Sequence, residues 1–193
     1  MKLSILNGPR AAGASQTYRG TYRRHPFFCD TVPSDDEINR LFFWFIETGG
    51  ELGVVSDLPK ARRYTELLNA NTNAEGLKGN FELVEVTDVP PEKAPGQFLG
   101  IDLSSGYNSS LLWAGLRSYI ENSTDPVWDV LLPSWMEFKQ LYSPKLNRYG
   151  LFEAEEHAKS CLRQAVLIQD EFPNFFEGGD LDEFIPTWIY KIA

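Results

Sequence analysis

The sequence predicts an α+β fold, a single domain over residues 1–193 in which a mainly antiparallel sheet is packed by about four helices. Three observations predict it. Apolar residues recur at helical spacing in four separate stretches, and from Asn80 onward the period changes to two, as strands require. The connection from Pro90 to Pro95 is too short to hold a crossover helix, so the strands it joins are read as antiparallel neighbours. A chain of 193 residues, 42% apolar and 13% aromatic, lies within the range of one domain and can fill a core.

The elements follow in order. Lys2 to Leu6 reads as a short strand stopped by Asn7-Gly8-Pro9. Arg10 to Asp30 is rich in Gly, Ser, Thr and Arg without clean periodicity. It is read as an irregular loop, able to move, with one strand around Thr17 to Arg23. Ser34-Asp35-Asp36-Glu37 is a helix start, with Ser34 as N-cap and Glu37 completing a capping box. That helix runs to Thr48 and puts Ile38, Leu41, Phe42, Phe45 and Ile46 on one face, opposite Asp36, Arg40 and Glu47. Phe43 and Trp44 flank the face and are expected at the core or its edge. A second helix starts at Asp57-Leu58-Pro59, runs through Ala61, Tyr64, Leu67 and Leu68, and exits at Asn69 to Asn73. Its exposed side carries Lys60, Arg62 and Arg63, read as a solvated face.

Phe81 to Val86 and Gln97 to Leu103 are strands, and Ser104-Ser105-Gly106 turns the chain toward a third over Ser110 to Leu116. Asp125-Pro126 opens a helix with the stripe Val127, Val130, Leu131, Trp135, Phe138 and Leu141, which Pro133 kinks or splits before Ser143-Pro144 ends it. Glu153 to Asp170 is the fourth helix. Phe184 to Ile192 closes the chain as a strand.

Charge and cysteine usage narrow the function. With 18 Lys+Arg against 27 Asp+Glu the net charge is −9, which repels phosphate backbones and anionic lipid heads. The charge is uneven: residues 1–30 carry five cations against Asp30 alone, and residues 151–193 carry nine acids against Lys159, Arg163 and Lys191. Cys29 and Cys161 show no CxxC spacing, and no apolar run reaches membrane-spanning length. The expectation is a cytoplasmic protein that contacts neither nucleic acid nor membrane.

Chemistry-bearing residues are few. Glu153, His157 and Cys161 stack at intervals of four, as a nucleophile, base and orienter would. However, Ala154, Ala158, Cys161, Leu162, Ala165 and Ile168 form the apolar stripe of that helix, so Cys161 is expected to be buried and inert, with His157 at the margin. His25 and Cys29 lie in the Arg-rich loop, where positive charge lowers a thiol pKa. Gly8-Pro9-Arg10-Ala11-Ala12-Gly13 lacks the Lys-Ser/Thr of a phosphate loop, and two His exclude histidine-rich metal sites. No cofactor and no metal are expected. In the acidic tail, Asp170, Glu171, Glu177, Asp180, Asp182 and Glu183 interleave with Phe172, Phe175, Phe176, Leu181 and Phe184. Carboxylates around exposed rings suit a rim-and-anchor surface for a basic protein; the plain alternative is a solvated loop whose Phe side chains plug the core.

Two stretches resemble known families. Tyr18-Arg19-Gly20-Thr21, followed by Tyr22-Arg23-Arg24-His25, resembles the Tyr/His-x-Gly-Thr strand of diphtheria-type ADP-ribosyltransferases, and Gly150-Leu151-Phe152 with Ala158 resembles a later segment of such families. That resemblance implies an NAD-dependent enzyme with Tyr18, Arg19 and Tyr22 near the nicotinamide. Gln97 to Leu112, within a likeness spanning Phe81 to Leu116, resembles the strand–turn–strand of small acidic immunity proteins from bacterial polymorphic-toxin systems. It implies an inhibitor that binds a cognate, often basic, toxin domain and performs no chemistry of its own. This is the leading expectation, with the enzyme second and a structural or assembly protein third.

Overall fold

The structure, a computed structural model, describes residues 1–7, 36–49, 54–70, 81–105, 109–110, 133–171, 181 and 184–193. Among the described residues five strands, β1 (Leu3–Asn7), β2 (Phe81–Thr87), β3 (Gln97–Ser105), β4 (Ser109–Ser110) and β5 (Phe184–Lys191), accompany four α-helices, α1 (Asp36–Gly49), α2 (Leu58–Ala70), α3 (Pro133–Tyr142) and α4 (Glu155–Glu171). The strand order is β1-β2-β5-β3-β4. The α+β class and the mainly antiparallel sheet are those the sequence predicts, but the two strands joined through Pro90 to Pro95, read as neighbours, are not adjacent: β5 lies between β2 and β3. Contacts divide the chain into two compact units, one of Met1–Phe98 with Ile189–Ala193 and one of Leu99–Trp188.

In the first unit β1 pairs antiparallel with β2 in the register Leu3↔Glu85, Ile5↔Leu83 and Asn7↔Phe81. Leu3 also exchanges two 2.8 Å backbone hydrogen bonds with Val55. On one side of this pair the core gathers Leu3, Ile5, Ile38, Phe45, Val55, Ala61, Tyr64, Leu68 and Leu83. Each such aliphatic or aromatic side chain contributes about 1.5–3 kcal/mol when fully buried. Ser4, Leu6, Val84 and Val86 are buried as well, so both faces of the strand pair are covered.

Helix α1 presents the predicted face: Ile38 and Phe45 are buried, and Leu41 and Phe42 pack half-buried beside them. Trp44 sits at the core edge as expected, but Phe43 does not, being 54% exposed. Helix α2 begins as its sequence dictates, because Asp57 accepts the Lys60 amide at 3.0 Å and Pro59 occupies the first turn, where no amide is needed. At its end Asn69 acts as a strand residue would. Its side-chain amide donates to the Phe81 carbonyl at 2.9 Å and its oxygen accepts the Phe81 amide at 2.7 Å, fixing where β2 starts.

In the second unit β3 pairs with β4 through Ser104↔Ser110 and Ser105↔Ser109, and with Phe152 through Ile101. Gly100 makes this approach possible, since its φ is +145° and a Cβ there would lie 2.6 Å from the Leu151 Cβ and 2.9 Å from the Phe152 carbonyl oxygen. Asn147 braces the same turn, donating to the Leu99 carbonyl at 2.7 Å and accepting the Tyr149 amide at 2.9 Å. Buried hydroxyls on β3 and β5 satisfy each other, Ser104 against Thr187.

Helices α3 and α4 run antiparallel, because the Tyr142 hydroxyl meets that of Ser160 at 2.8 Å while Ser134 reaches Glu171 at 3.3 Å. The described part of α3 begins at Pro133, so the kink or split expected at that proline falls at the border of the described residues. The expected start at Asp125, the Ser34 capping box, the Thr17 to Arg23 strand and the extension of β4 to Leu116 lie outside the described residues. Among the described residues no helix is long and apolar enough to cross a membrane.

Candidate functional site

Of the stripe read from the sequence helix α4 buries Ala158, Cys161, Ala165 and Ile168, while Leu162 is half-buried and Ala154, also half-buried, precedes the helix. Leu167 falls on the opposite side of the wheel and is 60% exposed. One turn further along, Asp170 and Glu171 are exposed at i+3 and i+4 on the same outer surface, with exposed Arg163 one turn before. The acids occupy the last turn, where no basic residue accompanies them. A helix C-terminus carries a partial negative charge, so each carboxylate there is disfavoured by about 0.3–1 kcal/mol at low salt. Ser134 donates to Glu171 at 3.3 Å, a long hydrogen bond that leaves the charge in place.

The sequence-predicted site residues separate into two groups. Asp170 and Glu171 are described and exposed. Phe175, Phe176, Glu177, Asp180, Asp182 and Glu183 lie outside the described residues, as do Tyr18, Arg19, Tyr22, His25 and Cys29. Of the apolar residues interleaved with the acids, Leu181 is 2% and Phe184 5% exposed, so these two are core and not anchors. Leu167, the apolar side chain that does stand out beside the acids, is not among the residues expected at the site from the sequence. Its signal was present as a leucine on the polar side of the α4 wheel, yet isolated surface leucines are common enough that the wheel alone does not select it.

The Glu153, His157 and Cys161 series is not brought together as a reactive set. Helix α4 starts only at Glu155, Glu153 and His157 are exposed, and Cys161 is fully buried. Burial pushes the Cys161 thiol far up from its ordinary pKa, outweighing the opposing charge of Lys145, so the nucleophilic thiolate is disfavoured. Gly150, Leu151 and Phe152 serve structure: Gly150 turns the chain at φ +70°, and buried Leu151 and Phe152 pack at the turn braced by Asn147. Among the described residues no group of three or more His, Cys, Asp or Glu could hold a metal ion.

In the first unit an open groove of about 530 Å³ runs between α1 and α2, lined by Glu37, Arg40, Leu41, Trp44, Pro59, Lys60 and Arg63. Arg63 clamps Glu37 with hydrogen bonds of 2.8 and 2.7 Å, and Lys60 lies over the Trp44 ring at 5.4 Å. Lys60 and Arg63, expected on a solvated face, instead line this groove. The contact of Arg63 with Glu37, 26 residues away, has no local signal in the sequence.

No family model matches the chain, and neither a curated protein nor a solved structure matches it significantly.

Proposed function

We propose that the chain is an acidic protein-binding module, a cytoplasmic inhibitor of the immunity type that neutralises a cognate basic toxin domain by direct contact. The outer end of α4 is the described part of its binding surface, with Leu167 as apolar anchor and Asp170 and Glu171 as rim. One observation carries this reading: two carboxylates sit at the end of a helix whose dipole disfavours them, beside a leucine left 60% exposed. Departures from local rules are expected where function supplies the reward, and a cationic partner would supply it here. Net charge of −9 adds steering toward a basic partner, and a buried anchor within a polar rim is the usual division of labour in an interface. The acidic-aromatic residues Phe175, Phe176, Glu177, Asp180, Asp182 and Glu183 extend the proposed surface.

The test is capture by the tagged chain in its native host, followed by identification of retained proteins and co-expression of each with the chain in a growth assay. A basic protein, toxic alone and harmless beside the chain, supports the reading. Retention of acidic or neutral proteins only, or no relief of toxicity, contradicts it.

A further inference from the structure

The groove between α1 and α2 has a character opposite to the α4 surface. On α1 its lining residues, Glu37, Arg40, Leu41 and Trp44, are spaced i, i+3, i+4 and i+7, so they form one stripe about 10 Å long at ~1.5 Å per residue. Pro59, Lys60 and Arg63 of α2 face it. The floor is apolar, because Leu41 and Trp44 are only half-buried against the core. The rim is cationic. Glu37, the one carboxylate among the lining residues, is engaged bidentately by Arg63, and among the described residues no carboxylate holds Arg40 or Lys60 in that way. Lys60 has Asp57 at 3.7 Å, an exposed pair of small worth that an incoming carboxylate can exchange. Phe43, 54% exposed and three residues after Arg40, adds apolar surface on the same helix.

We propose that this groove receives an acidic amphipathic helix of a partner protein, its apolar side chains resting on Leu41 and Trp44 and its carboxylates meeting Arg40 and Lys60. The i, i+3, i+4, i+7 lining is the pattern by which one helix reads another laid along it. The groove is open and does not enclose a small molecule as a ligand cavity does. Positive lining in a chain of net charge −9 gives the choice of partner its sign. The inference rests on the first unit alone and is independent of the reading of α4.

Its test uses two labelled synthetic peptides of sixteen or so residues, each a helix with leucines at i, i+3, i+4 and i+7, flanked by Glu in one and by Lys in the other. Binding is followed by anisotropy and by the Trp44 indole N–H resonance, identified by its loss in Trp44→Phe. The Glu peptide is expected to bind and shift that resonance, and the R40E/K60E chain to bind at least about tenfold more weakly with an unchanged circular dichroism spectrum. If the charge reversal unfolds the chain, R40Q/K60Q serves instead. Equal binding of the Lys peptide overturns the proposal, as does indifference to the substitutions. So does a Trp44 shift that tracks protein concentration without peptide, which assigns the groove to a second copy. A Trp44 resonance that no peptide moves overturns it too.

Discussion

Arg63 on α2 grips Glu37 on α1 through both carboxylate oxygens, Nε to Oε1 at 2.8 Å and NH2 to Oε2 at 2.7 Å. The fork fixes the polar edge where the two helices meet, over a core in which Phe45 and Tyr64 pack with ring centroids 5.6 Å apart. Hydrogen bonding from Arg63 holds the Glu37 carboxyl below its ordinary pKa of 4.5, helped by the charges of Arg63 and Arg40 and opposed by partial burial.

A carboxyl whose pKa is depressed on folding stabilises the fold above its unfolded value, and that contribution is lost as pH falls through the folded one. The urea midpoint of the natural chain should therefore drop more between pH 7 and pH 3 than that of Glu37→Gln. The difference between the two should shrink in 1 M salt, because the pair is exposed. Parallel acid limbs for the two chains would show that the pair contributes nothing.

Gly100→Ala should destabilise the second unit by about 1–3 kcal/mol or more, because the backbone there is at φ +145° and the added Cβ meets Leu151 and Phe152. Denaturant unfolding measures it, and a neutral substitution would contradict the close approach.

Asn69→Ala should cost about 1–3 kcal/mol, since it leaves the amide and carbonyl of Phe81 without their side-chain partner at the start of β2. Asn69→Asp should recover only part of this, as a carboxylate can accept from the Phe81 amide but repels its carbonyl. Equal stability of the Ala and Asp variants would count against the account.

In a Cys29→Ser chain the remaining thiol, Cys161, should be unreactive toward a maleimide in the folded state at neutral pH and react fully in urea. Rapid labelling of the native chain would show that α4 opens or that its stripe is misplaced.

The sequence could be read furthest where burial obeys a simple period. Ile38 and Phe45 on α1, and Cys161 with Ile168 on α4, lie inside because the 3.6-residue repeat leaves them no other face. It could be read least where two distant segments meet. Nothing local announces that Asn147 reaches Leu99, that Gly100 must admit Leu151, or that Arg63 finds Glu37, since each depends on tertiary approach. Phe43 failed the pattern because an aromatic beside an apolar face can turn either way, and α1 has enough core from Ile38, Leu41, Phe42 and Phe45. For the candidate site, composition marked Asp170 and Glu171 as acidic surface, but Leu167 acquires meaning only once its exposure and their place in the last turn of α4 are known.

The most direct measurement is the affinity of the captured partner for the natural chain, for L167D and for D170K/E171K, across a salt series, with melting curves recorded for each. The account expects unchanged melting for L167D, higher melting for D170K/E171K because cations suit the end of α4, a loss of tenfold or so in affinity for each variant, and a shallower salt dependence for the charge reversal. Full affinity and an unaltered salt slope in D170K/E171K would contradict it.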